Sequence, residues 1–434
     1  MAQAPFPDFK AIRARFPVLS FVALMVSVLL VGCGMPEYRT EPAPVAAEPT
    51  MESTDTSAAA APPLRGSYRG APRRGVVTAG DIDDALNLAA FQRYLGRTRA
   101  ALNLPAADFS HPVLLQMVGP DGAPAPGVFY SLSRPGAADP FHSGYSGVDG
   151  RVAVFPALHG ARGLSTVELR AFPEAQGAAF VTRVVASGRP ARVDLPFAGN
   201  WQPDFVDIAF VIDATGSMGD EIAWLQRELA GLVREVRRAA PGADLRFALI
   251  AYRDRGDEFV VRNHGFTARS SEMQGWLRDL RAGGGGDYPE AAAAGLRAGA
   301  DLGWRRGRGE RLMFHIADAP PHTKDARAYL EAAALAARKG VQVFGLGASG
   351  VGAGSEYLMR QAALGSQGRY LFLIDDSGVG YGHAEPTVAC YRVTDLADLV
   401  TRVLRSELTG RRIEAADSAV IRQVGSYQAG HCRN

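Results

Sequence analysis

Two hydrophobic patterns alternate along the chain between residues 203 and 409. Short, predominantly apolar runs are typical of strands that are buried on both faces. Between them, apolar positions recur every three or four residues, as expected for amphipathic helices. The predicted strands are Val206–Ile212, Leu245–Tyr252, Arg311–Ala317, Val341–Leu346 and Tyr370–Ile374, with an antiparallel edge strand near Phe259–Val261 and Phe266. The predicted helices are Glu221–Ala239, Ser270–Arg281, Pro289–Leu302, Lys324–Lys339, Ser355–Leu364 and Asp395–Leu408. This repetition predicts an α/β domain with a doubly wound, mostly parallel sheet.

Residues 109–199 have a different pattern, in which short alternating runs are separated by turn signals. Several strands at such spacing favour an N-terminal all-β sandwich. The segments Gly-Pro-Asp-Gly-Ala-Pro-Ala-Pro-Gly-Val and Ser-Gly-Val-Asp-Gly-Arg-Val resemble those of carboxypeptidase-regulatory-like β-sandwich modules, which are usually spacers or adhesive units. The histidines His111, His142 and His159 are scattered, and we expect them on loop surfaces.

The remaining folded-body segments are less regular. Residues 81–108 predict a helical segment for which Asp81 can serve as the N-cap. Residues 33–80 are rich in Pro, Ala, Glu, Ser and Thr and poor in large apolar side chains. Such a segment cannot bury enough surface to offset its chain entropy, so we expect a disordered tether. The polar tail 410–434 is predicted to be irregular.

Residues 1–32 have the organisation of a secretory signal. Three basic residues, Lys10, Arg13 and Arg15, precede an apolar run that ends in Leu30-Val31-Gly32-Cys33. This ending resembles the bacterial lipobox, and the resemblance implies cleavage before Cys33, lipidation of its thiol and a lipid-anchored location in the cell envelope. Gly34 follows the cysteine, which implies the outer membrane if the cell is Gram-negative. The alternative is an uncleaved signal anchor with an incidental cysteine.

The charges and cysteines limit the classes of function. The chain carries 47 basic and 45 acidic residues, and Lys10, Arg13, Arg15 and Asp8 place the whole excess of +2 in the leader. A nucleic-acid binder needs a concentrated positive field, so this class is excluded. An exported protein meets oxidising conditions, which favours a disulfide between Cys390 and Cys432. Two unpaired thiols remain the alternative.

The loop after the first strand of the α/β domain carries candidate chemistry. Asp213, Thr215 and Ser217 follow Val206–Ile212 at the sheet edge where doubly wound folds bind ligands. One carboxylate and two hydroxyls on alternate residues are hard oxygen donors that suit Mg²⁺ or Ca²⁺. The nearby Gly-rich loop lacks the Gly-Lys-Ser/Thr ending that grips phosphates, so nucleotide binding is not expected.

The run Asp-x-Thr-x-Ser resembles the Asp-x-Ser-x-Ser motif of the von Willebrand factor type A domain, where it forms the metal-ion-dependent adhesion site. The resemblance extends to Asp318 in Asp-Ala-Pro-Pro-His, which matches the family's distal aspartate. The loop Gly283–Glu290 lacks the usual Thr and is similar to a subgroup that reads Gly-Gly-Gly-Asp-x-Pro-Glu. Asp287 is therefore inferred to replace the hydroxyl, and Glu290 is the less favoured alternative.

The resemblance implies a site for Mg²⁺, or for Ca²⁺ or Mn²⁺, built from Asp213, Thr215, Ser217, Asp287 and Asp318. In this family the cation accepts a carboxylate from a protein partner, so the implied function is metal-dependent partner binding without catalysis. Two alternatives remain open: an envelope protein with a vestigial metal site, and a metal-dependent hydrolase. The latter is disfavoured because several carboxylates lower the acidity of a metal-bound water and no general base is evident.

Overall fold

A computed structural model of the chain describes residues 67–68, 77–173, 178–286, 288–348, 350–374 and 385–433. The predicted signal, Cys33 and all but a few residues of the predicted tether lie outside the described residues. Within the described part, none of the helices has the length and apolar character needed to span a bilayer.

The secondary-structure elements have the following bounds. The strands are β1 (Ser67–Tyr68), β2 (Thr78–Ile82), β3 (Val113–Val118), β4 (Phe129–Ser133), β5 (Pro140–Tyr145), β6 (Arg151–Val154), β7 (Thr166–Phe172), β8 (Phe180–Val185), β9 (Ala191–Asp194), β10 (Phe205–Asp213), β11 (Asp244–Tyr252), β12 (Val261–Thr267), β13 (Gly309–Ala317), β14 (Gln342–Gly347), β15 (Tyr370–Ile374), β16 (Tyr391–Asp395), β17 (Arg422–Val424), β18 (Tyr427–Gln428) and β19 (His431–Cys432). The helices are α1 (Leu88–Leu102), α2 (Gly219–Ala239), α3 (Ser270–Asp279), α4 (Ala292–Asp301), α5 (Ala326–Arg338), α6 (Ala353–Gly365) and α7 (Leu396–Thr409).

The described residues form a ten-stranded sheet in the order β1-β17-β16-β2-β15-β14-β13-β10-β11-β12. The central strands β15, β14, β13, β10 and β11 run parallel, whereas β12 and the strands beyond β15 pair antiparallel. The predicted α/β fold with a parallel sheet centre and an antiparallel edge strand is confirmed. The sheet is mixed because segments outside the alternating pattern extend it.

Helices cover both faces of this sheet, as the alternation of side chains along each strand requires. Ala209 and Val211 of β10 belong to a core with α1, α4, α5 and α6. Ile208 and Phe210 of the same strand belong to a second core with α2, α3 and α7. Every residue of β10 and β13 is buried, which explains why these strands are predominantly apolar on both faces.

The predicted β-sandwich is present between β3 and β9. One sheet has the order β6-β3-β9 and the other β5-β4-β7-β8. A single core of buried apolar residues, including Leu115, Tyr130, Val152 and Leu169, joins the two sheets. The expected loop positions of the histidines are wrong for His142, which lies in β5 with its ring 4.4 Å from that of His159.

Two predicted boundaries are wrong. Thr78–Ile82 is a fully buried strand between β15 and β16, so the tether ends before it and Asp81 is a strand residue, not a helix N-cap. Helix α1 begins only at Leu88. The buried polar side chains of β2 have polar partners that lie far along the chain. Arg369 lies 3.6 Å from Asp81, and the Thr78 hydroxyl donates to the carbonyl of Ile374 at 2.6 Å.

The tail 410–434 is also not irregular over its described length. Its strand β17 pairs antiparallel with β16 and with β1, and β18 and β19 form a hairpin. The sulfur atoms of Cys390 and Cys432 lie at bonding distance, with Cα atoms 5.3 Å apart. The tail is therefore fastened to the sheet by strand pairing and by this disulfide.

Candidate functional site

Asp213 is the last residue of β10 and is fully buried. Its Oδ1 accepts hydrogen bonds from the backbone N–H of Thr215 at 3.0 Å and from the Thr215 hydroxyl at 2.7 Å. These two bonds turn the Asp-x-Thr-x-Ser loop back over the end of the strand. The other oxygen, Oδ2, is buried and has no hydrogen-bond partner among the described residues.

Asp318 follows β13, which is parallel to β10, so both aspartates lie at the same edge of the sheet. Its side chain is also buried, and its Oδ1 lacks a hydrogen-bond partner among the described residues. The backbone carbonyl of Asp318 accepts from Tyr288 and from Ser355, each at 3.3 Å. The Ser217 hydroxyl interacts with the Asp318 carboxylate, and Ser217 itself is exposed.

The Gly-rich loop lies directly against the Asp213 loop. Gly283 donates to the carbonyl of Ala214 at 3.0 Å, and Gly216 donates to the carbonyl of Gly284 at 3.2 Å. A Cβ on Gly285 would lie 2.9 Å from Glu290 Oε1 and 3.2 Å from the Thr215 Cβ. Only glycine permits this approach, and it places the Glu290 carboxylate beside the Asp-x-Thr-x-Ser loop.

Glu290, the less favoured sequence candidate for the last ligand, lies among the described residues of this site. Its side chain is 4% exposed, and its Oε2 has no hydrogen-bond partner in the described part of the chain. Its backbone N–H donates to the carbonyl of Pro320 at 3.0 Å, which ties it to the loop that carries Asp318. The glycines before it were the available signal. Asp287 lies outside the described residues.

The three carboxylates share one electrostatic environment. Burial, with a smaller contribution from Asp318, raises the pKa of Asp213 to about 7 in spite of the Thr215 hydrogen bonds. Burial and the charges of Asp213, Asp254, Asp257 and Asp318 raise the pKa of Glu290 to about 8. Burial likewise raises the pKa of Asp318. In each case desolvation disfavours the ionised form of the carboxylate at this edge of the sheet.

Arg253 and Asp254 support the loops around the site, and Arg253 also lies 3.3 Å from the exposed carboxylate of Glu258. The buried guanidinium of Arg253 donates to the carbonyl of Ala214 at 3.0 Å and to that of Arg281 at 2.9 Å. The carboxylate of Asp254 lies 2.8 Å from His322 Nε2. These contacts connect the loops after β10, β11, α3 and β13, which fixes the frame around the carboxylates.

The donor set suits a hard divalent cation, although not through acidic residues alone. Within the described residues, no three Asp, Glu, His or Cys side chains form a ready metal-binding group. The hydroxyls of Thr215 and Ser217 would have to complete the set. The oxygens without partners on Asp213, Glu290 and Asp318 fit this requirement, because a buried unpaired carboxylate oxygen needs a proton or a cation.

Residues 207–373 match the family model of the von Willebrand factor A domain. A putative ariadne-like RING finger protein of Acanthamoeba polyphaga mimivirus is 33% identical over 119 residues, which are 27% of this chain and 11% of that protein. The alpha-protein kinase vwkA of Dictyostelium discoideum is 30% identical over 139 residues, 31% of this chain and 21% of that protein. This chain thus spans only about a tenth and a fifth of the lengths of these relatives.

Two solved structures are also similar. The pilus adhesin SpaC of Lactobacillus rhamnosus GG is 15% identical, with a TM-score of 0.32 over 46% of this chain and 30% of that one. The conserved hypothetical protein BatB of Bacteroides thetaiotaomicron is 17% identical, with a TM-score of 0.30 over 38% of this chain and 88% of that one. The family match covers β10 through most of β15, the strands and helices that place Asp213, Glu290 and Asp318 at one sheet edge. Residues 207–373 therefore form a von Willebrand factor A-type domain.

Proposed function

We propose that this domain binds a protein partner through a divalent cation held at the Asp213 edge of the sheet. The observation that carries the proposal is a set of three buried carboxylate oxygens, on Asp213, Glu290 and Asp318, that have no hydrogen-bond partner among the described residues. Burying such charges costs several kcal/mol each unless a counter-charge is present. A bound cation removes this cost, whereas an empty site must hold extra protons.

The proposed ligands are Asp213, Thr215, Ser217 and Asp318, with Glu290 completing the set. The Glu290 carboxylate and the Thr215 side chain both lie beside Gly285, which supports Glu290 as a ligand, and Asp287 stays the alternative. An all-oxygen set favours Mg²⁺, with Ca²⁺ or Mn²⁺ as alternatives. When bound, the cation would offer one coordination position to a carboxylate of the partner.

A basic surface beside the site supports an acidic partner. A shallow pocket of about 580 Å³ is lined by Arg99, Lys324 and Arg327 and by no carboxylate. It adjoins the metal-site loop, because Leu104 in its wall and Pro320 both lie within 3.8 Å of a Cβ placed on Gly354. A partner segment that offers one carboxylate to the cation could place further acidic groups here.

We propose a binding role without catalysis. The imidazole nearest the loops, His322, is engaged by Asp254 at 2.8 Å. The carboxylates that could act as a general base are the proposed ligands themselves.

We also propose, from the lipobox at Cys33, that the chain is a lipoprotein of the cell envelope, in the outer membrane if the cell is Gram-negative. Cys33→Ala should release it from the membrane fraction.

The central test compares the full chain with Asp213→Ala in magnesium and in EDTA. Partner capture from surface extracts, followed by mass spectrometry, should require both magnesium and Asp213. Asp194→Ala is the matched control, since Asp194 is an exposed carboxylate in the sandwich. Equal capture with and without the metal would reject the metal-dependent function, and turnover of a model ester that needs Asp318 would favour a hydrolase.

A further inference from the structure

A second cavity lies at the opposite end of the sheet from the carboxylates. It has a volume of about 670 Å³, and its walls come from both the β-sandwich and the von Willebrand factor A-type domain. Gly309 and Gln342, where β13 and β14 begin, form part of its floor. The nine residues of β13 separate it from Asp318 by roughly 30 Å at ~3.3 Å per residue. The volume falls within the range of small-molecule sites.

The lining of this cavity is strongly basic. Among the described residues, Glu310 is the one carboxylate in the lining. Five basic side chains contribute to it: Arg305, Arg306, Arg311, Arg338 and Lys339. Burial raises the pKa of Glu310 well above its ordinary value, and the five basic side chains outnumber this single carboxylate. The field inside the cavity is therefore positive.

Only part of this positive charge is neutralised by the protein. Arg305 pairs with Asp207 and with Asp244, each at 2.6 Å, and Lys339 lies 3.8 Å from Asp301. Within the described chain, no carboxylate lies at ion-pair distance from Arg306, Arg311 or Arg338. Arg311 and Arg338 donate instead to backbone carbonyls, which fix the guanidinium groups without cancelling their charge.

Aromatic side chains form the apolar part of the wall. The indole N–H groups of Trp201 and Trp304 donate hydrogen bonds to the carbonyls of Glu407 and Gly299, both at 2.9 Å. The rest of each ring is apolar surface. Tyr145 lies beside Trp201, with ring centroids 6.4 Å apart. Such surfaces accept flat organic groups, and they attract cations weakly but not isolated anions.

The paired rings of His142 and His159 complete the sandwich side of the cavity. Burial lowers the pKa of His142 to about 3 and that of His159 to about 4. Both rings are neutral at physiological pH and can donate a hydrogen bond without adding charge. The cavity thus combines unpaired guanidinium groups, neutral donors and aromatic surface.

We propose that this interdomain cavity binds a small organic anion, whose phosphate, sulfate or carboxylate group lies near Arg306 and Arg338 and whose body packs on the aromatic wall. Because the sandwich supplies one wall and the α/β domain the other, the ligand would hold the two domains together. The proposal does not depend on the metal site.

The test uses isothermal titration calorimetry on the full chain, with 1-naphthyl phosphate as the probe and with 1-naphthol and inorganic phosphate as its uncharged and ring-free counterparts. We expect naphthyl phosphate to bind at least about tenfold more tightly than either counterpart. Arg306→Gln with Arg338→Gln should weaken binding by about tenfold or more. Arg227→Gln with Arg234→Gln, two exposed positions on α2, removes the same charge and should change binding less than about twofold.

The outcomes separate cleanly. Equal weakening by both double variants would reduce the effect to net charge and overturn the site, as would undetectable binding of the probe at millimolar concentration. If the cavity variant melts at a lower temperature, Arg306→Glu alone decides, since Arg306 is exposed and makes no ion pair with a described residue. Asp213→Ala and EDTA should leave naphthyl phosphate binding unchanged, whatever happens to partner capture.

Discussion

The imidazole of His315 bridges two buried tyrosines, with Nε2 3.0 Å from the Tyr252 hydroxyl and Nδ1 3.0 Å from the Tyr329 hydroxyl. This chain of side chains joins β13, β11 and α5 beneath the Asp213 loop. The hydroxyl of Tyr252 lies near enough to Asp213 to lower its pKa. These three hydrogen-bonded side chains therefore affect the pKa of a proposed metal ligand as well as the packing of the core.

Tyr252→Phe should weaken metal binding in a pH-dependent way. Loss of the hydroxyl raises the pKa of Asp213 further above about 7, so more of this carboxylate is protonated at neutral pH. We expect magnesium affinity, measured by calorimetry, to fall severalfold near pH 7 and to recover toward the wild-type value near pH 9. Affinity that stays low at high pH would indicate structural damage instead.

Tyr329→Phe is the matched control for this effect. It removes the hydroxyl at the other end of the chain, which is not among the groups that shift the pKa of Asp213. Each tyrosine variant leaves a buried imidazole nitrogen without its partner, which costs about 1–3 kcal/mol in the free energy of unfolding. Both should therefore be destabilised, and only Tyr252→Phe should change the pH dependence of metal binding.

Stability should fall in acid because of His315. Burial lowers its pKa from 6.5 to about 3. Between these values the unfolded chain binds a proton that the folded chain does not, so folding loses free energy as the pH drops from ~6.5 toward ~3. His315→Gln should flatten urea-derived unfolding free energies against pH by up to about 1.4 kcal/mol per unit. Parallel curves for the two proteins would contradict the assignment.

Neutralising Glu290 should have opposite effects with and without metal. In EDTA, Glu290→Gln removes repulsion among buried carboxylates, and we expect the free energy of unfolding to rise by about 1 kcal/mol, a few degrees in melting temperature. In magnesium, the same variant should lose most of the metal-induced stabilisation. Thermal melting with and without magnesium measures both signs in one experiment.

Asp287→Asn separates the two candidates for the last ligand. If Glu290 completes the site, Asp287→Asn keeps the magnesium-induced rise in melting temperature. A result in which Asp287→Asn abolishes that rise and Glu290→Gln preserves it would restore the sequence-based choice. An unchanged melting temperature on adding magnesium to the wild-type protein would argue against a metal site altogether.

The sequence predicted those parts of the fold in which the local pattern of apolar residues already indicates which side chains are buried. Strands such as β10 are mostly apolar because helices cover both faces. Strand β2 was not predicted because its sequence, Thr-Ala-Gly-Asp-Ile, has no strand-like apolar pattern. Residues distant in the sequence, such as Arg369 and Phe372, contact it in the sheet. Strand β17 is similarly short and depends on β16 for its hydrogen bonds.

In the candidate site, too, some residues can be predicted from the local sequence and others cannot. Asp213, Thr215 and Ser217 follow one strand in a recognisable spacing, and Asp318 follows another, so parallel topology alone brings them to one edge. The place of Glu290 beside this loop depends on how closely Gly285 approaches Thr215, a distance that no local pattern encodes. The basic cavity joins two domains and has no sequence signature.

Arg360 should be essential for attaching the segment before α1 to α6. Its guanidinium, 3% exposed, lies 2.7 Å from Asp84 and 3.0 Å from Glu356. Arg360→Met would leave two buried carboxylates uncompensated, at a cost of about 3–5 kcal/mol. The triple variant Asp84→Leu, Glu356→Leu and Arg360→Met should lose less than the single one in urea unfolding. A larger loss in the triple variant would show that packing, not charge, dominates there.

The disulfide should stabilise the tail by limiting the unfolded chain. Cys390 and Cys432 are 42 residues apart, and closing a loop of this length contributes about 3–4 kcal/mol in the chain-entropy model. It also holds Cys432 where its backbone N–H donates to Asn87 Oδ1 at 2.8 Å, just before α1. Cys390→Ala with Cys432→Ala should therefore lower the free energy of unfolding by that amount and speed proteolysis of the tail. Reductant should have the same effect on the wild-type protein and none on the double variant. Equal sensitivity of both proteins to reductant would mean that the two thiols are not paired in solution.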